Sequence, residues 1–290
     1  MGVKRIAPAL ALLGLAASLT ACGVRNTVDP VAAAATKTEK AGGAKMSMSI
    51  AISDGASQSF TVKADGVFDQ NEGEMTMDMS SALESAGLPA GSGSGIKLLY
   101  LKEDGDPVMY MDFPFLSSQL PGGKSWIRID LQKVGQELGL DLGRLMGQSN
   151  QNPAQALDML RASGQVDEVG PATIDGASTT EYKGAIDLAK AAKLDGGNAE
   201  SMVNGLIAQG APSQIPIDVW IGDDGLVRRM IMNEDITKDG HTVSTAVTLD
   251  LSDFGTQVSV TAPPADQVFD ATALAGQMSQ GGSSALVPKA

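Results

Sequence analysis

Lys45-Met46-Ser47-Met48-Ser49-Ile50-Ala51-Ile52-Ser53 places an apolar residue at every second position and a small or charged one between. Successive side chains of a strand point to opposite faces, so this spacing predicts a strand with one apolar and one wet side. The same period continues outward. Phe60, Val62 and Ala64 alternate with Thr61, Lys63 and Asp65, and Met75, Met77 and Met79 alternate with Thr76 and Asp78. Further along, Met109, Met111 and Phe113 stand against Tyr110 and Asp112, and Val243, Val247, Leu249 and Leu251 against Ser244, Thr248 and Asp250. Asp54-Gly55, Asp104-Gly105, Asp175-Gly176, Asp224-Gly225 and Asp239-Gly240 fall between such runs. Asp-Gly between alternating segments signals a hairpin, because a tight turn needs residues that tolerate positive φ. The expected class is α+β: an antiparallel meander of about ten or eleven strands, interrupted by a helical middle.

The helical signals are fewer. Asp29-Pro30 followed by Val31-Ala32-Ala33-Ala34-Ala35 and closed by Gly42-Gly43 predicts a helix over about 30–41, with Asp at the N-cap and Pro in the first turn. Asn152-Pro153 opens another, with Ala156, Leu157 and Leu160 on one face. Before it, Leu131, Val134 and Leu138 have helical spacing, yet Gly135, Gly139, Gly143 and Gly147 recur every fourth residue. Each interior glycine costs about 0.8–1 kcal/mol relative to alanine, so this stretch has two readings. It is a loose surface helix, or a flap over the sheet with Leu138, Gly139, Leu142 and Gly143 as gate residues. Ala199 to Ala208 is a further helical stretch, followed by a strand at Ile215–Ile221. Residues 277–290 are rich in Ser and Gly and are expected to be disordered.

The N-terminus carries Lys4 and Arg5, then an apolar run from Ile6 to Ala17, then Leu19-Thr20-Ala21-Cys22. A basic start, a short apolar core and small residues at its end are a secretion signal, too short to span a bilayer. Leu-Thr-Ala-Cys resembles the lipobox of bacterial lipoproteins, which makes Cys22 the lipid-attachment residue. Acyl chains contribute ~0.8 kcal/mol per buried methylene, so two or three anchor durably. The expected organisation is a signal peptide over 1–21, a lipidated tether over 22–28, one domain over 29–270 and a tail over 271–290. The location expected from this is the extracytoplasmic face of the cell membrane.

Composition narrows the function classes. The 290 residues carry a net charge of −13, and residues 1–21 contain two cations and no acid, so the remainder is more negative still. Such a balance disfavours nucleic acid, whose phosphates demand Lys/Arg patches. Cys22 is the only cysteine, which leaves no disulfide, and His241 is the only histidine. No metal site, cofactor or catalytic triad is expected from that inventory. A hydrolase built on carboxylates would need paired acids on an apolar face. Its candidates, Asp218 and Asp250, fall at wet positions. Arg228-Arg229 reads as a strand-edge charge pair.

Fourteen methionines are many for this length. Met46, Met48, Met75, Met77, Met109, Met111, Met230 and Met232 all occupy period-two positions. With three rotatable bonds and a polarisable sulfur, methionine adapts to irregular partners. The face is either a filled core or the wall of a cavity for flexible alkyl chains. Ile50, Phe60 and Val62 complete the candidate wall.

Asp175-Gly176-Ala177-Ser178-Thr179-Thr180-Glu181-Tyr182-Lys183-Gly184-Ala185-Ile186-Asp187 resembles the corresponding segment of the LppX/LprA/LprF/LprG lipoprotein family. Pro216-Ile217-Asp218-Val219-Trp220-Ile221 leading through Asp224-Gly225-Leu226-Val227-Arg228 is similar to a second. The resemblance spans about 30–265 and implies a LolA/LolB-like half-barrel. Its concave face, covered by helices, would hold acyl chains of lipids or glycolipids for carriage or presentation outside the membrane. The expected partners are therefore the membrane, through Cys22, and a lipid or glycolipid ligand. The competing expectation is a non-catalytic surface interaction or sensor module whose core is closed by its own side chains.

Overall fold

A computed structural model describes residues 30–53, 59–116, 120–138, 166–195, 199–208, 211–238 and 241–272. The first half of the chain supplies β1 (Gly43–Ser53), β2 (Ser59–Phe68), β3 (Glu72–Asp78), β4 (Ile96–Glu103), β5 (Asp106–Asp112) and β6 (Trp126–Asp130). The second half supplies β7 (Asp167–Ile174), β8 (Ala177–Asp187), β9 (Gln214–Gly222), β10 (Val227–Lys238), β11 (His241–Thr256) and β12 (Val268–Asp270). All twelve form one sheet in the order β12-β6-β5-β4-β3-β2-β1-β11-β10-β9-β8-β7. Two antiparallel meanders, β1–β6 and β7–β11, thus meet at the β1–β11 pair to make the half-barrel.

The count exceeds the expected ten or eleven. Beyond the last long strand the chain returns as β12, three residues pairing parallel with the outer edge of β6. So short a strand has no measurable period, and its parallel partner makes the sheet mixed.

The Asp-Gly turns carry the meander. Asp104 and Gly105 both have positive φ, 52° and 94°, as do Asp175 and Gly176, 48° and 82°. That is the backbone a two-residue hairpin requires for its twist to match the strands. Asp54-Gly55 and Asp239-Gly240 lie outside the described residues.

Five helices accompany the described strands: α1 (Pro30–Lys40), α2 (Ser80–Ser85), α3 (Leu131–Leu138), α4 (Leu188–Asp195) and α5 (Ala199–Ala208). Alanine-rich α1 has Lys37 and Lys40 in its last turn, where cations complement the helix dipole. Its buried Val31 and Ala34 pack with Val219, Ile221 and Val227 of β9 and β10. Alanines let the helix axis approach the sheet closely. α2 and α4 were not foreseen. Ser81 ties α2 to β2, its hydroxyl donating to the Thr61 carbonyl at 2.7 Å and accepting from the Thr61 amide at 3.0 Å. α3 begins where the glycine-spaced stretch was expected to be helical, and the helix expected from Asn152 lies outside the described residues.

A second core lies on the opposite face. Leu99, Val108 and Tyr110 are buried there with Leu101, Trp126, Val260 and Val268, so the strap leading from β11 to β12 roofs β4–β6. Burial of each large side chain contributes roughly 1.5–3 kcal/mol.

Candidate functional site

Residues directly opposite in a ladder share a face, so the register says which side chains lie together. Met46 stands opposite Leu251 on β11 and Gly66 on β2. From Gly66 the row runs to Met75, Leu98, Met111 and Ile127, ending at Phe269. A second row starts at Met48. One way it passes Ala64, Met77 and Ile96, and the other way Leu249, Met230, Val219 and Tyr182. A third joins Ala44, Phe68, Gly73, Tyr100, Met109 and Ile129. Ile50 pairs with Val62 and with Val247, which faces Met232, while Phe60 pairs with Ile52. All eleven wall residues named from the sequence therefore share one face of the sheet.

Two adjoining hollows open on that face. The larger, 470 Å³, lies between Ala35 and Thr38 of α1 and a floor of Phe68, Tyr100, Met230, Leu249 and Leu251. The smaller, 210 Å³, is bounded by Met46, Phe68, Met75, Leu98, Tyr100 and Met109. Phe68 and Tyr100 border both. Burial pushes the Tyr100 phenol up, so it stays neutral. Of the predicted wall, Met46, Met75, Met109 and Met230 reach these hollows. Met48, Ile50, Phe60, Val62, Met77, Met111 and Met232 share the face but lie outside both. Of the gate residues, Leu138 ends α3, and Gly139, Leu142 and Gly143 lie outside the described residues. Cys22 does too.

Sequence reading missed Phe68, Leu98, Tyr100 and the α1 contribution. Carrying the β2 alternation past Ala64 and Gly66 would have reached Phe68. The α1 side of the hollow had no local signal, since only tertiary packing brings it there. α1 is held in place by polar contacts at its end. The Val227 amide donates to Thr38 Oγ1 at 2.8 Å, Gln70 Nε2 donates to the Glu39 carbonyl at 3.1 Å, and Lys37 Nζ donates to the Asp224 carbonyl.

A larger concavity, 760 Å³, is on the other face and is a different environment. Lys45, Asp65, Glu74, Lys97, Arg229 and Asp250 line it. An alkyl chain there would strip water from charges without replacing their hydrogen bonds, which is costly. Arg228 and Arg229 are not an edge pair, since β10 lies between β9 and β11. Each is tied to its own carboxylate. Arg228 binds Asp224 and sits 4.8 Å from the centre of the Phe254 ring. Arg229 makes a two-pronged contact with Asp250, one prong at 2.9 Å. Asp218 lies 3.5 Å from Lys183. Asp218 and Asp250 are thus half-buried ion-pair partners rather than free surface acids, and neither sits on the apolar face.

A polar network fastens the edge of the sheet. Arg128 Nη2 donates to Glu103 at 2.9 Å and Nη1 to Asp270 of β12 at 3.0 Å, while the Tyr110 hydroxyl donates to Glu103. Asp130, buried, accepts from the Lys133 amide at 3.0 Å and so caps α3, and its own amide donates to Thr272 at 3.0 Å. Burial alone would raise the Glu103 carboxyl, but hydrogen bonds from Tyr110 and Arg128 outweigh it and hold it below the usual range. Asp130 and Asp270 are also lowered against burial, by Lys133 and by Thr272 with Arg128 respectively. Burial would lower the Arg128 guanidinium, but its contacts with Glu103, Tyr110 and Asp270 outweigh that and raise it further out of reach of titration. No cluster of His, Cys, Asp or Glu suited to a metal ion occurs among the described residues.

No protein-family profile matches the chain. An uncharacterised 31.2 kDa protein from the rplA–rplJ intergenic region of Streptomyces griseus is 32% identical over 199 residues, which is 66% of this chain. The matched region spans 60% of that relative's length. Among solved structures, the chain is similar to LprF from Mycobacterium bovis at a TM-score of 0.40 and 16% identity, over 82% of this chain and 97% of LprF. It is also similar to the lipoprotein LppX of Mycobacterium tuberculosis at a TM-score of 0.44 and 16% identity, over 80% of this chain and all of LppX, a 100% share. A LolA superfamily protein from Nitrosomonas europaea matches at a TM-score of 0.26 and 11% identity, over 80% of this chain and 95% of that one.

Proposed function

We propose that this chain is a lipid-anchored extracytoplasmic lipoprotein that binds alkyl chains of a lipid or glycolipid between α1 and the apolar face of the sheet, without catalysis. The observation that supports this is the pair of adjoining hollows lined by Phe68, Tyr100, Met46, Met75, Met109, Met230, Leu249 and Leu251. At about 30 Å³ per water-sized group, the 470 Å³ hollow takes on the order of 15 methylenes. Each methylene removed from water contributes ~0.8 kcal/mol, reduced by the cost of ordering the chain. The single cysteine, expected to be acylated, would keep the site near the membrane that supplies the ligand. Carriage between membranes, presentation at one surface and the choice of headgroup are further parts of the proposal.

Native mass spectrometry on protein expressed without residues 1–22, followed by solvent extraction, tests it. The expected result is a lipid-sized adduct at one per chain. A clean unliganded mass, repeated after incubation with host lipids, would refute alkyl binding and favour a closed interaction module.

A further inference from the structure

On the described strands methionine is segregated. The buried apolar residues of the described core are Val, Ala, Ile, Leu and Tyr, and methionine is absent from them. Met46, Met48, Met75, Met77, Met109, Met111, Met230 and Met232 are each half-buried, and all lie on the apolar face. Four of them border the hollows. Gly66, with no side chain, separates Met46 from Met75, so no neighbour on β2 stands between these two thioethers in their row. A thioether that water reaches is also reached by peroxide. The sulfur lone pair attacks one peroxide oxygen, an S–O bond forms as the O–O bond breaks, and the other oxygen leaves as water. Sulfur is oxidised and peroxide reduced. The product is a polar sulfoxide that methionine sulfoxide reductases return to the thioether.

We propose that this face is a reversible modification site, at which peroxide converts Met46, Met75, Met109 and Met230 to sulfoxides and thereby expels the bound alkyl chain. The expulsion rests on the alkyl-binding reading above. Leucine would give as apolar a wall without this response, so the choice of methionine ties occupancy of the hollow to oxidant. A sulfoxide covered by an alkyl chain has lost its hydrogen bonds to water, which weakens binding by about tenfold or more.

The test uses the full chain in isolated membranes, exposed to hydrogen peroxide and then to a sixteen-carbon fatty acid bearing a diazirine, irradiated and mapped by peptide mass spectrometry. Sulfoxide should accumulate at the four methionines, crosslinking to β1–β5 and β10 should fall about tenfold, and reductase treatment should restore it. In a variant with Met46, Met75, Met109 and Met230 replaced by leucine, treated and untreated samples should crosslink equally, whatever their absolute yield. Leucine for methionine conserves volume and is tolerated in packed surroundings. Four oxidised methionines with undiminished crosslinking would overturn the inference, as would methionines that stay reduced or equal loss in the leucine variant. An untreated wild type that does not crosslink would overturn the alkyl-binding reading itself, and this inference with it.

Discussion

Replacing Arg128 by methionine tests the edge network directly. The guanidinium is 18% exposed and holds Glu103 at 2.9 Å and Asp270 at 3.0 Å, with Asp130 at 4.0 Å. Removing it leaves three carboxylates facing one another, of which Asp130 is only 6% exposed. Breaking a fully buried pair costs 3–5 kcal/mol, while an exposed pair is worth under 1, so a loss of about 2–4 kcal/mol is expected here. For a domain of this size that corresponds to a fall in Tm of about 5–15 °C. The pH dependence supplies an independent sign. Glu103, Asp130 and Asp270 are all held below their ordinary values in the folded chain. Their contribution is therefore complete above the unfolded values near pH 4 and is lost as pH falls through the lower folded ones. Wild-type stability in urea should decline below about pH 4, and the Arg128→Met profile should be shallower. Hydrogen exchange should quicken at residues 268–272, whose β12 pairing the arginine secures. A loss below about 1 kcal/mol, as for an exposed pair, or pH profiles that run parallel, would refute the network's role.

Three other perturbations bear on the fold and the site. A Cβ on Gly66 would fall 2.1 Å from the Glu74 carbonyl oxygen and 2.9 Å from Met75 Cα, both backbone. Gly66→Ala should therefore lower the urea midpoint more than an ordinary strand Gly→Ala change, and an unchanged midpoint would contradict the β2–β3 pairing. Thr38→Val leaves the Val227 amide without its 2.8 Å acceptor. It should cost about 1–3 kcal/mol by chemical denaturation, with α1 the first segment to exchange; equal exchange throughout would argue against that contact. Ala35→Trp projects a large ring into the 470 Å³ hollow. The lipid adduct should disappear from native spectra while circular dichroism stays unchanged, and a persistent adduct would place the ligand elsewhere.

Alternation and Asp-Gly turns made most of the sheet legible. Met46, Met48, Met75 and Met77 could be assigned a common face because a half-buried strand writes its orientation into every second residue. α1 was legible as well, through Pro30 and its alanines. What the sequence did not reveal depends on contacts between distant segments. Nothing local indicates that Met46 pairs with Leu251, or that Ala35 faces Leu249. The Arg128 network gathers one or two residues each from β4, β5, β6 and β12, so no window of the chain contains it. Arg228-Arg229 looked like an edge because charges mark edges, yet Asp224 and Asp250 let both reside on an interior strand. α4 was missed because Leu188-Ala189-Lys190-Ala191-Ala192 follows a strong strand directly, with Asp187 as its cap at 3.0 Å to the Lys190 amide.

The seam between the two meanders sets an order of assembly. Residues 43–53 of β1 pair with residues 244–256 of β11, about 200 positions later. At roughly 5–20 residues per second, synthesis delivers that partner some 10–40 s after β1. Through that interval β1 has β2 on one side and a bare hydrogen-bonding edge on the other, an invitation to wrong pairing. Lys45, exposed on that strand, is the kind of charge that discourages strangers. The first meander is thus finished while its partner is still being made, and the last long strand is the one that joins the two.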